Sequence, residues 1–180
     1  MVIKSKEAEL LNLRNQPEFA IITAVEYAVI NMKALLKSSY EKGVAKITND
    51  SDKAKLYYLT HHLGNGDALR FIGNTIPDTG KDNAQYLLAQ QVNYTDKKTN
   101  TLVDVAAIKA KAEKEHGVAD DSCYIFAHRR WLIAFIDDNI DPKAFAVDIK
   151  KIAEPRPLYD LIKDIGGQHP AGFVVPPKHY

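Results

Sequence analysis

Residues 56–74 read LYYLTHHLGNGDALRFIGN, and the fold turns on how they are parsed. The spacing predicts a helix ending at Leu63, a tight Gly64-Asn65-Gly66 turn and a second short helix opening at Asp67. Glycine closes helices because it enters the left-handed region without a Cβ penalty, and a second glycine lets backbone pass close to a neighbour or ligand. Asp67 stands where a carboxylate accepts the unpaired N–H groups of a helix start. The same corner gathers Tyr57, Tyr58, His61, His62, Asn65 and Arg70. Aromatic faces beside hydrogen-bonding groups are what a wet, polar ligand such as a sugar chain needs.

Outward from that turn, apolar residues recur at three and four rather than at two, which predicts an all-α chain. A short helix is expected over residues 1–13, and Pro17 suits the first turn of the next. Over residues 18–39 the positions Phe19, Ile22, Val25, Val29, Met32 and Leu36 form one stripe, the mark of a long core helix. Gly43 and the Thr48-Asn49-Asp50-Ser51-Asp52 cluster interrupt it, with Asp50 or Ser51 expected to cap the helix that follows. Further helices are expected over residues 82–92, 102–116 (capped by Asn100 or Thr101 and closed by Gly117), 122–138, 143–153 and 158–165. Between the first two of these, residues 94–100 read as a loop or short hairpin, and the Pro-bearing tail reads as irregular. Residues 122–138 are apolar around nearly the whole circumference and should lie at the centre.

Length and charge narrow the function. The 180 residues fit one domain with a sound core, and 24 basic against 23 acidic residues leave no strong field, so neither nucleic acid nor an anionic membrane is a default partner. The lone cysteine, Cys123, excludes an intramolecular disulfide and, among apolar neighbours, reads as a buried thiol. No apolar run reaches signal-peptide or membrane-span length. The Gly64-Asn65-Gly66 turn follows a helix rather than a strand, so it is not a phosphate loop. His128-Arg129-Arg130 reads as an anion or partner contact or, more simply, as an interrupted polar stripe pairing with Asp137, Asp138 or Asp141.

The pattern Tyr58-Leu59-x-His61-x-x-Gly64-x-Gly66-x-Ala68-x-Arg70-Phe71 resembles the second half of the lysozyme-like domain of soluble lytic transglycosylases, and it looks most like the muramidases of giant-phage tail lysins. Leu13-Arg14-x-x-Pro17 with Glu26, Asn31, Met32 and Leu35 upstream, and Asn93-Tyr94-Thr95-Asp96-Lys97 with the helix after Thr101 downstream, extend the resemblance over about residues 9–111. It implies a lysozyme-like region over residues 1–112, with residues 113–180 as a helical extension packed on it or as part of one single domain. In that family the catalytic acid is a glutamate, usually followed by serine, on an earlier helix, and no Glu-Ser pair occurs here. The chain is therefore expected to be the C-terminal part of such a domain, with the acid supplied by preceding sequence.

What the resemblance implies is cleavage of peptidoglycan glycan strands, by a muramidase or lytic transglycosylase belonging to a phage lysin or a secreted antibacterial effector. Made without a signal peptide, it would be delivered to the bacterial cell wall by other machinery. Tyr58 stands at an active-site tyrosine that lines the glycan cleft. His61 and His62 replace a Tyr-Asn pair, and Asn65 and Arg70 complete the substrate-binding set. Glu26 is the one catalytic candidate within the chain. Ile30 occupies the position of the family's second acidic residue, one turn on and on the same face as Glu26. Adjacent helical residues point about a hundred degrees apart, so His61 and His62 do not share a metal, and no metal or cofactor is implied. Two other readings stand beside this one: a non-catalytic helical module that binds a peptidoglycan or chitin-like glycan or, through its C-terminal extension, a protein partner; and an enzyme whose acid is Glu26.

Overall fold

A computed structural model describes residues 17–78, 80, 82–92, 95–96, 101–102, 104–116, 123–139 and 156–174. The expected helices over residues 1–13 and 143–153, the Gly117 stop, the Cys123 thiol and the side chains of Phe19, Ile22 and Val25 lie outside the described residues. Seven helices are described: α1 (Pro17–Leu36), α2 (Glu41–Val44), α3 (Asp50–Ile72), α4 (Ala84–Val92), α5 (Val105–His116), α6 (Cys123–Asn139) and α7 (Leu158–Asp164). The only strands among the described residues are β1 (Thr95–Asp96) and β2 (Thr101–Leu102), an antiparallel pair with Thr95 opposite Leu102. The chain is all-α, as the periodicity predicts.

Local chemistry sets the helix ends, in three places differently from expectation. Asn49, not Asp50 or Ser51, caps α3, its Oδ1 accepting the Ser51 N–H at 2.9 Å. Asp104, not Asn100 or Thr101, caps α5 by accepting the Ala106 N–H at 2.8 Å, because residues 101–102 are held in the β pair. Asn83 does the same for α4 through the Tyr86 N–H at 2.7 Å. The break in α3 is a single residue: Gly64 adopts φ 73° and ψ 161°, a region open in practice to glycine alone, and the helix resumes at once. Asp67 therefore lies within the resumed helix and not at its cap, and its carboxylate bonds Arg70 at 2.6 Å.

Helix α6 is the centre, as its apolar circumference predicts: it packs against α3, α4, α5 and α7, while α1 lies along α3. One hydrophobic cluster runs from Met32 and Leu35 through Leu56, Leu59, Phe71, Ile72, Leu88, Leu132, Ile133 and Ile136 to Leu161 and Phe173. Of the α1 stripe, Met32 is buried as expected, while Val29 and Leu36 are exposed, a correction; the helix residues buried among those described are Asn31, Met32 and Leu35. An apolar helix with little polar contrast is not oriented by periodicity. At the other end of the fold Gly43 is obligatory, since a Cβ there would come within 2.4 Å of the Ile165 backbone.

Two buried charges on α3 tie its N-terminal half to α6 and α7. The Lys55 ammonium, 4% exposed, meets Asp137 Oδ1 at 2.6 Å and donates to the Arg156 carbonyl at 2.7 Å, while Asp137 also accepts the Leu158 N–H at 2.9 Å. Asp52 accepts the Arg156 N–H at 2.8 Å and pairs with its guanidinium at 2.7 Å. Removing one partner of a buried pair strands the other charge, a loss of about 3–5 kcal/mol. Lys55→Met should therefore lower the unfolding free energy by about that amount in denaturant titration. Lys55→Met with Asp137→Leu should recover only part of it, because the Leu158 N–H and Arg156 carbonyl stay unpaired.

Candidate functional site

The register of α3 against α6 brings rings together. Tyr58 and His62, one turn apart on α3, face Phe135 and Trp131, one turn apart on α6. Tyr58 lies 6.2 Å from Phe135, and His62 lies 5.4 Å from Phe135 and 6.0 Å from Trp131, between ring centres. Tyr58 stacks on His62 at 5.7 Å and Trp131 on Phe135 at 5.1 Å. Helix α1 closes the third side, with Tyr27 edge-on to His61 at 5.4 Å. Tyr27, Trp131 and Phe135 escaped the sequence reading of the site because helix packing alone brings α1 and α6 to this corner. Their one signal is the i, i+4 spacing of Trp131 and Phe135, which matches that of Tyr58 and His62.

The two histidines divide as adjacent helical positions must. His61 is exposed between Tyr27 and Tyr58, whereas His62 turns inward to the α6 rings. Burial, and then the neighbouring His61, hold the His62 imidazole below the ordinary histidine range, so it favours the neutral form. Burial likewise pushes the Tyr58 phenol upward, keeping its O–H as a donor.

Around these rings several buried polar atoms have no hydrogen-bond partner among the described residues: His62 Nε2, Asn65 Oδ1 and both side-chain polar atoms of Asn31. Asn31 follows Tyr27 by one turn, on the side of α1 that faces α3. Buried polar groups are satisfied in nearly all native structures, and an unpaired one costs about 1–3 kcal/mol. A water molecule or a polar ligand is what can complete such pairing.

The remaining candidates behave differently. Arg70 is committed to Asp67 and reaches the Asp82 carbonyl at 3.4 Å, an arrangement that ties the resumed half of α3 to the approach to α4. Glu26 is exposed on α1 beside Tyr27, without the apolar enclosure that general-acid catalysis asks of a carboxyl group. No three His, Cys, Asp or Glu side chains converge as a metal site among the described residues.

His128, Arg129 and Arg130 are all buried and are not a surface stripe, and the partners described for them are not Asp137 or Asp138; Asp141 lies outside the described residues. His128 Nε2 meets Gln91 Oε1 at 3.1 Å, Arg130 pairs with Glu115, and Arg129 donates to the Phe71 carbonyl and to His169 Nδ1 at 2.8 Å. Central packing of α6 overrode the polar pattern. His169 in turn donates from Nε2 to the Tyr159 carbonyl at 3.0 Å and stacks on the Tyr159 ring at 4.0 Å.

No protein-family model, curated protein or solved structure matches this chain.

Burial first, then Arg129 and His62, drive the His128 imidazole down to about 3. A folded-state value below the unfolded 6.5 means the unfolded chain takes up the proton first. His128 thus contributes stability that is intact above about pH 6.5 and falls by about 1.4 kcal/mol per pH unit below it, down to about pH 3. His169, held down to about 4 chiefly by burial, acts with the same sign. Urea unfolding across this window should show His128→Gln flattening the acid limb relative to the parent protein.

Proposed function

We propose that the chain engages a neutral, amide-bearing glycan strand of the peptidoglycan or chitin type at the Tyr27–Tyr58–His61 corner, as the substrate-lining part of a muramidase or lytic transglycosylase acting at the bacterial cell wall. The observation that carries this reading is the coincidence at the Gly64 kink of aromatic rings with buried, unpaired donors and acceptors. Sugars offer apolar ring faces to aromatics and hydroxyl and acetamido groups to amides, so both halves of the corner have a counterpart in such a ligand. The near-equal balance of acidic and basic residues fits an uncharged strand better than a polyanion.

A second reading, that the chain binds glycan without cleaving it, draws on the carboxylates. Asp52 and Asp137, the acidic side chains set deepest around α3, are both committed to cations. Both are taken up in structural contacts, Asp137 with Lys55 and the Leu158 N–H and Asp52 with Arg156, so neither is free to reach a glycosidic oxygen. Glu26, which stands nearest Tyr27 in sequence, is exposed.

Chitooligosaccharides and soluble muropeptides titrated into labelled protein should shift the Tyr58, His61 and Tyr27 resonances, and Tyr58→Ala should weaken binding by about tenfold. Peptidoglycan turbidity measured beside it tells whether the acid lies in this chain. Clearance lost in Glu26→Gln assigns the acid to this chain, and binding without clearance leaves a binding part. Saturating glycan that moves none of these resonances rejects both.

A further inference from the structure

Over residues 26–37, helix α1 covers only one of its sides. Asn31, Met32 and Leu35 are buried, while Glu26, Val29, Ile30, Lys33, Leu36 and Lys37 face outward. The outward face is not an ordinary solvated one: Val29 is 46% and Ile30 56% exposed, and Leu36 continues the same stripe two turns after Val29. A contiguous apolar stripe left exposed, as Val29, Ile30 and Leu36 form here, is the kind of surface that a partner covers.

The charges on the stripe decide what covers it. Glu26 lies before the Val29-Ile30 pair and Lys33 after it, two turns apart and roughly 10 Å along the axis. Neither has an ion-pair partner among the described residues. We propose that this face of α1 packs against α1 of a second copy of the chain, antiparallel about a two-fold axis between Val29 and Ile30. In that register Glu26 of each copy meets Lys33 of the other, and Val29 of each meets Ile30 of the other. A parallel pairing places Glu26 on Glu26 and Lys33 on Lys33, which like-charge repulsion disfavours. Isologous pairing needs a surface that complements itself when reversed, and this order of charges does so.

Other occupants fit less well. The stripe holds Glu26, Lys33 and Lys37 along its middle, so a lipid core would strand charges. Val29 and Ile30 offer neither a flat ring nor a hydrogen bond to a sugar. Tyr27 sits at the flank beside His61, so pairing leaves the Tyr58–His61 corner open. One helix pair buries less than the roughly 1,000 Å² of lasting interfaces, so the dimer forms only at raised concentration.

Sedimentation equilibrium of the full chain from micromolar to millimolar concentration tests this, with circular dichroism confirming that each variant is folded. The parent chain is expected to pass from monomer to dimer. Glu26→Lys alone and Lys33→Glu alone should each weaken association at least about tenfold, and the two together should restore it. A parent that stays monomeric at millimolar concentration overturns the proposal, whatever else covers the face. Dimerisation that the double exchange fails to restore overturns the antiparallel register.

Discussion

Helices α3 and α6 could slide past one another by a turn without losing much apolar contact, since both are rich in interchangeable aliphatic residues. The Lys55–Asp137 ion pair removes that freedom. A hydrogen-bonded ion pair at 2.6 Å is directional where a hydrophobic face is not, and a one-turn slip would leave two charges buried apart. With Lys55 opposite Asp137 on antiparallel helices, Tyr58 falls opposite Phe135 and His62 opposite Trp131. The aromatic wall is a consequence of that register. A buried pair of this kind adds little net stability over a well-packed apolar pair, so its contribution is better understood as alignment than as strength.

The far end of the same interface is fixed by a different device. Arg129 is buried on α6, and the partners described for it are a carbonyl, a histidine and a ring, not a carboxylate: the Phe71 carbonyl, His169 Nδ1 and the face of Phe71 at 4.3 Å. Burial lowers its guanidinium to about 9, still charged at neutral pH. The charge is dispersed over a cation–π contact and dipoles, which desolvation alone would not allow. Because His169 accepts from Arg129 at Nδ1 and donates at Nε2, its tautomer is set, and the segment carrying His169 and Phe173 is held against α6 and α7. Between the ion pair and this cation lies Gly64. A kink there is tolerable because both halves of α3 are separately anchored.

Much of this was legible in the sequence where a residue's own chemistry decides the outcome. Pro17 opens α1, the apolar circumference of residues 123–139 puts α6 at the centre, and Gly64 breaks α3. Where the outcome depends on a partner, the sequence is silent. Asn49 rather than Asp50 caps α3 because backbone geometry decides which side chain reaches the free N–H groups, and composition offers several equivalent candidates. His128-Arg129-Arg130 looks like a solvated run until α4, α5 and the 168–174 segment supply Gln91, Glu115 and His169. For the candidate site, Tyr58, His61 and His62 lie on one short stretch and their rings meet, with Asn65 following next to the kink. Arg70 is drawn off by Asp67, a partner one turn away that was visible in the sequence and read as a cap.

The two halves of α3 use polar side chains in opposite ways, and this contrast bears on function. Before the kink, Asp52 and Lys55 are buried with every strong demand met: cation on anion, amide on carboxylate, ammonium on carbonyl. Around the kink, His62 Nε2 and Asn65 Oδ1 are buried with no hydrogen-bond partner among the described residues, as are both polar atoms of Asn31 on α1. Aliphatic residues at these positions would carry no such cost, so stability does not explain the polar ones. The contacts of Lys55 and Arg129 fix the two ends of the α3–α6 interface, and the polar atoms left unpaired among the described residues fall between them, the feature on which the proposed glycan reading rests.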